Sequence, residues 1–158
     1  MALPELDRLV STDRLKHEPP SQGEFDGLVK LGEAKFRDAH VASLSLEGRF
    51  DLAYGASHAF ALAALRWHGY RSDTRYVVFQ SLEHTVGVSR DVWRVLDKAH
   101  GARNAADYGG NFQVTERLLK DVLAATEILR QRVLELGPVE SVWDCGSGSP
   151  VAIPIPRW

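Results

Sequence analysis

The sequence is poor in cysteine, in long apolar segments and in excess charge of either sign. Cys145 is the single cysteine, so an internal disulfide is excluded and the reducing cytoplasm is the expected location. The longest nearly apolar run, residues 59–65, is too short to cross a bilayer, and residues 1–16 have no signal-peptide core, so we expect no membrane partner. Lysine and arginine number 19 against 21 acidic residues, which excludes a globally basic nucleic-acid binder but not a local basic patch.

The remaining composition is that of a folded, soluble protein. Hydrophobic residues make up 44% of the chain and charged residues 25%, which excludes disordered, collagenous and coiled-coil classes. A length of 158 residues suits one domain and is enough to bury a core without a metal or a disulfide.

Apolar residues recur every three or four positions, which is typical of amphipathic helices. This pattern predicts helices over 4–16, 21–45, 50–67, 89–108 and 115–136, and a short helix over 76–84 that could also be a strand by composition. The segment 50–67 is apolar around most of its circumference, so it is predicted to be the buried central helix. We therefore predict an all-α, up-down bundle of four to five main helices over residues 1–136, followed by a non-helical tail over 137–158.

The predicted helix 89–108 carries an arginine on its apolar face. Arg103 falls within an arc of valine, leucine and alanine side chains, where an unpaired charge would be very costly. His100, Asn104 and Asp107 lie within one turn of it. Two interpretations follow. Either Arg103 reaches the edge of the core and pairs with Asp107 while Tyr108 packs beside it, or the helix end forms a polar site for a phosphate.

Residues 93–108 (WRVLDKAHGARNAADY) and the alanine-rich segment 54–66 (YGASHAFALAALR) resemble the HEPN family of cytoplasmic all-α domains. The resemblance covers roughly residues 21–136. Members share an arginine, commonly followed by a small polar residue, then four to six residues and a histidine. Arg103 and Asn104 match the start of this motif, and Tyr108 stands at the position of the histidine. A second register runs from Arg94 to His100, with a valine after the arginine.

The resemblance implies one of two functions. Many HEPN proteins are metal-independent RNases that act as dimers, so the first is a homodimer that binds RNA or a nucleotide without a cofactor. Tyrosine has a reference pKa near 10 and is a poor proton shuttle at pH 7, so cleavage stays an open extension of binding. Other members are non-catalytic partners of small nucleotidyltransferases in toxin–antitoxin or defence pairs, in which case the tail 151–158 would dock on the partner. A helical scaffold without chemistry is the third alternative.

The candidate site residues fall into two groups. Those assigned to catalysis lie near the end of one helix: Arg103, Asn104, Tyr108 and His100. Those assigned to substrate binding supply charged or polar groups: His58, Arg66, Arg71, Arg94 and Asp107. His58 is also interpretable as a core histidine, and the arginines as a solvated face. Histidines and carboxylates do not occur together at metal-ligand spacing, so we expect no metal.

Overall fold

The computed structural model describes residues 3–110 and 114–139. Their helices are α1 (Pro4–Ser11), α2 (Gln22–Ala39), α3 (Leu46–Trp67), α4 (Arg75–Gln80), α5 (Leu82–Thr85), α6 (Arg90–Gly109) and α7 (Glu116–Leu134). Two short strands, β1 (Lys16–His17) and β2 (Tyr70–Arg71), pair antiparallel. The predicted all-α class is confirmed. Residues 137–139 are non-helical, as predicted, and the rest of the predicted tail lies outside the described residues.

Several predicted boundaries need correction. The first helix ends at Ser11 rather than at residue 16, because the chain turns at Asp13, which has a φ of 58°, and then enters β1. The second helix ends at Ala39, and the third begins early, because the Ser45 hydroxyl accepts a hydrogen bond from the Gly48 amide and caps it. The ambiguous segment 76–84 is helical, in two pieces that meet at Ser81.

Pairs of contacting residues give the direction of each long helix. Between α2 and α3, the Ala39 carbonyl accepts from Arg49 and Glu24 pairs with Arg66, so these helices run antiparallel. The same argument makes α6 antiparallel to α3, through Asp51 with Arg103 and Tyr54 with His100.

The direction of α7 follows from its contacts with α2. Glu33 pairs with Arg130, and Gln22 accepts from the Val139 amide beyond the end of α7. Residue numbers therefore rise along α2 as they fall along α7, so these two helices are antiparallel as well. The predicted up-down bundle is confirmed.

The third helix is the centre of the bundle. Twelve of its 22 residues are buried, including Phe50, Tyr54, Phe60, Leu65 and most of its alanines, because neighbouring helices cover it nearly all round. Gly32 lets α2 approach closely: a Cβ at this position would lie 2.8 Å from the ring of Phe60. This arrangement leaves one turn of α3, residues 54–58, facing α6, α4 and the middle of α2.

Candidate functional site

A chain of polar side chains joins α3 to α6. The Tyr54 hydroxyl lies 2.8 Å from Nδ1 of His100, and Asn104 Nδ2 lies 3.2 Å from Nε2 of the same ring. His100 and Asn104 are four residues apart on α6 and therefore share a face of that helix. Both ring nitrogens of His100 have a partner, so the orientation of the ring is fixed. The tyrosine side chain is fully buried, which anchors this chain of groups in the core.

Arg103 covers the ring of Tyr54. Its Cζ atom lies 5.0 Å from the ring centroid, in the position of a cation–π contact. The guanidinium also forms long ion pairs, 3.6 Å to Asp51 and 3.4 Å to Asp107, and 27% of the side chain is exposed. The pairing with Asp107 expected from the sequence is present, but Tyr108 is 89% exposed and does not pack beside Arg103 as the first interpretation expected. Arg103 pairs with Asp107 at the edge of the core, and it belongs to a polar group at the C-terminal half of α6.

Two further cations approach the same turn of α3 from other helices. Arg75, at the start of α4, places its Cζ atom 5.6 Å from the Tyr54 ring centroid. Lys35 of α2 lies against Gly55, where a Cβ would be 3.1 Å from Nζ, so the glycine provides the room that the lysine occupies. Three helices thus each supply one cation. We refer to Lys35, Arg75 and Arg103, together with Tyr54 and His58, as the cationic cluster.

His58 lies one helical turn after Tyr54 and shares its face of α3. Its ring meets the ring of Phe79 edge-on, with 6.0 Å between the centroids. Burial, and after it the nearby charges of Arg75, Lys35, Arg103 and His100, together lower the pKa of His58 from 6.5 to about 4. The imidazole is therefore uncharged at pH 7. The three cations that contact this turn of α3 are therefore also close enough to act on the partly buried ring of His58.

Two of the predicted substrate-binding residues lie elsewhere. Arg66 is 2% exposed and donates to Glu24 at 3.0 Å, and also to the backbone carbonyls of Glu18, Pro19 and Tyr70. Arg71 pairs with Glu18 and Glu24 from β2. These contacts tie the N-terminal segment and the start of α2 to the end of α3. We therefore assign Arg66 and Arg71 to the stability of the fold and leave them out of the site.

Two other predicted residues are also apart from the cationic cluster. Tyr108 is 89% exposed at the end of α6, so it does not pack with the part-buried Tyr54–His100 pair. Arg94 is exposed on the same helix. It lies six positions before His100, with five residues between them, which places the two about 9 Å apart along the axis and on different sides of the helix. The second register of the motif is therefore not assembled into one site.

The sequence reasoning found the members of the site that lie on α6, together with His58, and missed Tyr54, Lys35 and Arg75. A tyrosine four residues before a histidine in an alanine-rich helix was the available signal for Tyr54. The lysine and the arginine lie 23 and 17 residues from His58 in the sequence, and no local pattern connects them to it.

The described part of the chain contains no group of three or more histidine, cysteine, aspartate or glutamate side chains that could hold a metal ion. Among residues 3–110 and 114–139, no helix is both long and apolar enough to cross a membrane. A scan against protein-family models finds no matching family, and a search of curated proteins finds no similar sequence.

Proposed function

We propose that this chain is a HEPN-like protein that binds RNA or a nucleotide through phosphate groups, as a homodimer. The observation that supports binding is the convergence of Lys35, Arg75 and Arg103 from three helices on one turn of α3. A guanidinium offers paired N–H donors to phosphate oxygens, and a lysine adds a compact charge. Phosphate contacts supply much of the affinity of nucleic-acid complexes. They need a local patch of positive charge on the surface, and a positive net charge of the whole protein is not required.

The same side chains suit metal-independent cleavage as an extension of binding. His58 is uncharged at pH 7, so it is able to accept the proton of a 2′-hydroxyl. Arg103 and Asn104 would hold the phosphate as charge develops on it. The proton donor to the leaving group would be His100 rather than Tyr108. His100 contacts Asn104 on α6, whereas Tyr108 is exposed at the helix end. Binding is the primary proposal because it needs only the charges, whereas cleavage needs a correctly placed proton donor as well.

The test measures binding of a mixed RNA pool by fluorescence anisotropy in EDTA, and cleavage of the same pool on denaturing gels. We expect Arg103→Gln to weaken binding at least tenfold and to lower the dependence on salt by about one phosphate contact. Arg132→Gln is the matched control, because Arg132 is an exposed arginine in the last turn of α7. Equal binding by the two variants would contradict the proposal, and no binding by the unmodified protein would contradict RNA as the ligand.

Cleavage and oligomeric state are separate outcomes of the same preparation. RNA fragments that disappear with Arg103→Gln would identify a working RNase, while binding without fragments would leave a binding protein. Light scattering during size exclusion tests the homodimer directly. A monomer that binds RNA normally would remove the dimer from the proposal and leave the binding site unchanged.

The exposed Tyr108 favours a second candidate function, that of a partner-binding module for a nucleotidyltransferase. At 89% exposure its hydroxyl is available for packing against a protein or for modification. The test is co-purification with the product of a neighbouring reading frame that has a nucleotidyltransferase pattern. We expect the full chain to retain this partner and a chain ending at Gly137 to lose it. Retention by both would refute docking through the tail.

A further inference from the structure

The positive charge of the cationic cluster is only partly compensated. Arg103 has two carboxylates near it, Asp51 at 3.6 Å and Asp107 at 3.4 Å. Among the residues that the structure describes, Lys35 and Arg75 have no carboxylate within 4.0 Å. Charges of one sign that are held together repel each other, and this repulsion is a standing cost to the folded protein. Two positive charges of the site are therefore left for a ligand to neutralise.

The surroundings of these two cations strengthen their effect. Tyr54 and Phe79 are almost completely buried, and their ring centroids lie 5.8 Å apart beneath the cluster. Aromatic rings of this kind screen charge much less than water does, so an anion placed here feels the half-buried Lys35 strongly, while the exposed Arg75 adds a charge that water screens more. His58 adds a polar ring that carries no charge at neutral pH. It offers a hydrogen bond to a ligand without adding to the repulsion.

The charge of the ligand distinguishes the classes of phosphate. A phosphate monoester carries about −1.5 to −2 at pH 7, because its second ionisation lies near pH 6. Each phosphodiester within a nucleic-acid strand carries a single negative charge. A dianion matches the two uncompensated cations, whereas one diester leaves one of them unmatched. The charge balance therefore favours the end of a chain, or a mononucleotide, over the interior of a strand.

We propose that Lys35 and Arg75 form a subsite for a phosphate monoester, with His58 as a neutral hydrogen-bonding partner and Arg103 at its side. This inference rests on the proposed function, since it names the class of phosphate that the same site prefers. The monoester has two sources, a terminal phosphate of RNA or a free mononucleotide, and both present the same dianionic group.

The experiment compares oligoribonucleotides of one sequence that carry a 5′-phosphate, a 3′-phosphate or hydroxyls at both ends, with an internal fluorophore. We expect a terminal phosphate to tighten binding about tenfold, the effect of one additional charge-assisted contact. In Arg75→Gln and Lys35→Gln this preference should fall to within about twofold. Lys30→Gln and Arg132→Gln are the controls and should keep it, because both side chains are exposed and lie outside the cluster. Competition with adenosine monophosphate and with adenosine tests the second source.

The outcomes separate this inference from the proposed function. Equal binding of all three oligonucleotides, lost with Arg103→Gln, would overturn the monoester subsite while RNA binding stands. A preference for a terminal phosphate that survives in both Arg75→Gln and Lys35→Gln would also overturn it. If no oligonucleotide binds but adenosine monophosphate does, and both variants lose it, the subsite is supported and its source is a free nucleotide. If neither RNA nor mononucleotide binds, both proposals fail.

Discussion

Replacing His58 by glutamine should remove a large pH-dependent part of the free energy of unfolding. In the folded protein the pKa of His58 is lowered from 6.5 to about 4, chiefly by burial and then by the cations around it. The unfolded chain therefore binds a proton on this ring over a pH range in which the folded protein does not. Stability from this source is fully present above pH 6.5 and is lost as the pH falls toward 4.

The magnitude follows from the difference between the two pKa values. At about 1.36 kcal/mol for each pKa unit, the stabilisation lost between pH 7 and pH 4 is about 3 kcal/mol. Burial also lowers the pKa of His68, so this residue contributes in the same direction. The comparison between the unmodified protein and His58→Gln removes that shared part, along with the carboxylates that titrate at low pH.

Urea denaturation followed by circular dichroism at pH 7, 6, 5 and 4 measures the effect. We expect His58→Gln to lose less stability over this range than the unmodified protein, by about 3 kcal/mol. His84→Gln is the control, because His84 is exposed on α5 and should leave the pH profile unchanged. Parallel profiles for the unmodified protein and His58→Gln would refute the placement of a neutral, buried histidine among cations.

Two further predictions concern the fold and use urea denaturation at pH 7. Arg66→Ala should cost about 3 to 5 kcal/mol, because it leaves the backbone carbonyls of Glu18, Pro19 and Tyr70 without their donor and takes one of two arginine partners from Glu24. Arg71→Ala, at a side chain 34% exposed, should cost about 1 kcal/mol or less. Equal costs would contradict the structural role given to Arg66. Gly32→Ala should lower the free energy of unfolding by about 1 to 3 kcal/mol through overlap with Phe60. Gly27→Ala, with open space around it, should stabilise α2 by about 0.5 to 1 kcal/mol. A Gly32→Ala variant as stable as the unmodified protein would refute the close approach of α2 and α3.

The helices could be predicted because their signals are local. Apolar spacing along 115–136 and the cap at Ser21 each lie within a few residues of the element they specify. The end of α1 near residue 13 and the start of α3 near residue 45 were harder to predict from the sequence. The turn at Asp13 leads into a strand whose partner, Tyr70–Arg71, lies more than 50 residues later, so the local pattern could not show where α1 stops.

The residues of the candidate site also differ in whether local sequence spacing could reveal their partners. Asn104 and Asp107 were recognised from helical spacing relative to Arg103, and the structure brings both close to the residues of that helix predicted to act with them. Arg66 shows the limit of this reasoning. Its part in a local excess of positive charge suggested a phosphate contact, yet most of its partners come from residues 18–24, which the sequence near Arg66 does not reveal.

The sequence by itself determined the all-α class, the central position of the alanine-rich helix and the group of polar residues on α6, because each depends on spacings within one helix. Only the tertiary structure decided that Lys35 and Arg75 join Arg103 around Tyr54 and His58. These side chains come from four helices, and their convergence results from the packing of α2, α4 and α6 on α3. The pKa of His58 has the same origin, since burial and the charges of distant segments act on it only after the chain has folded.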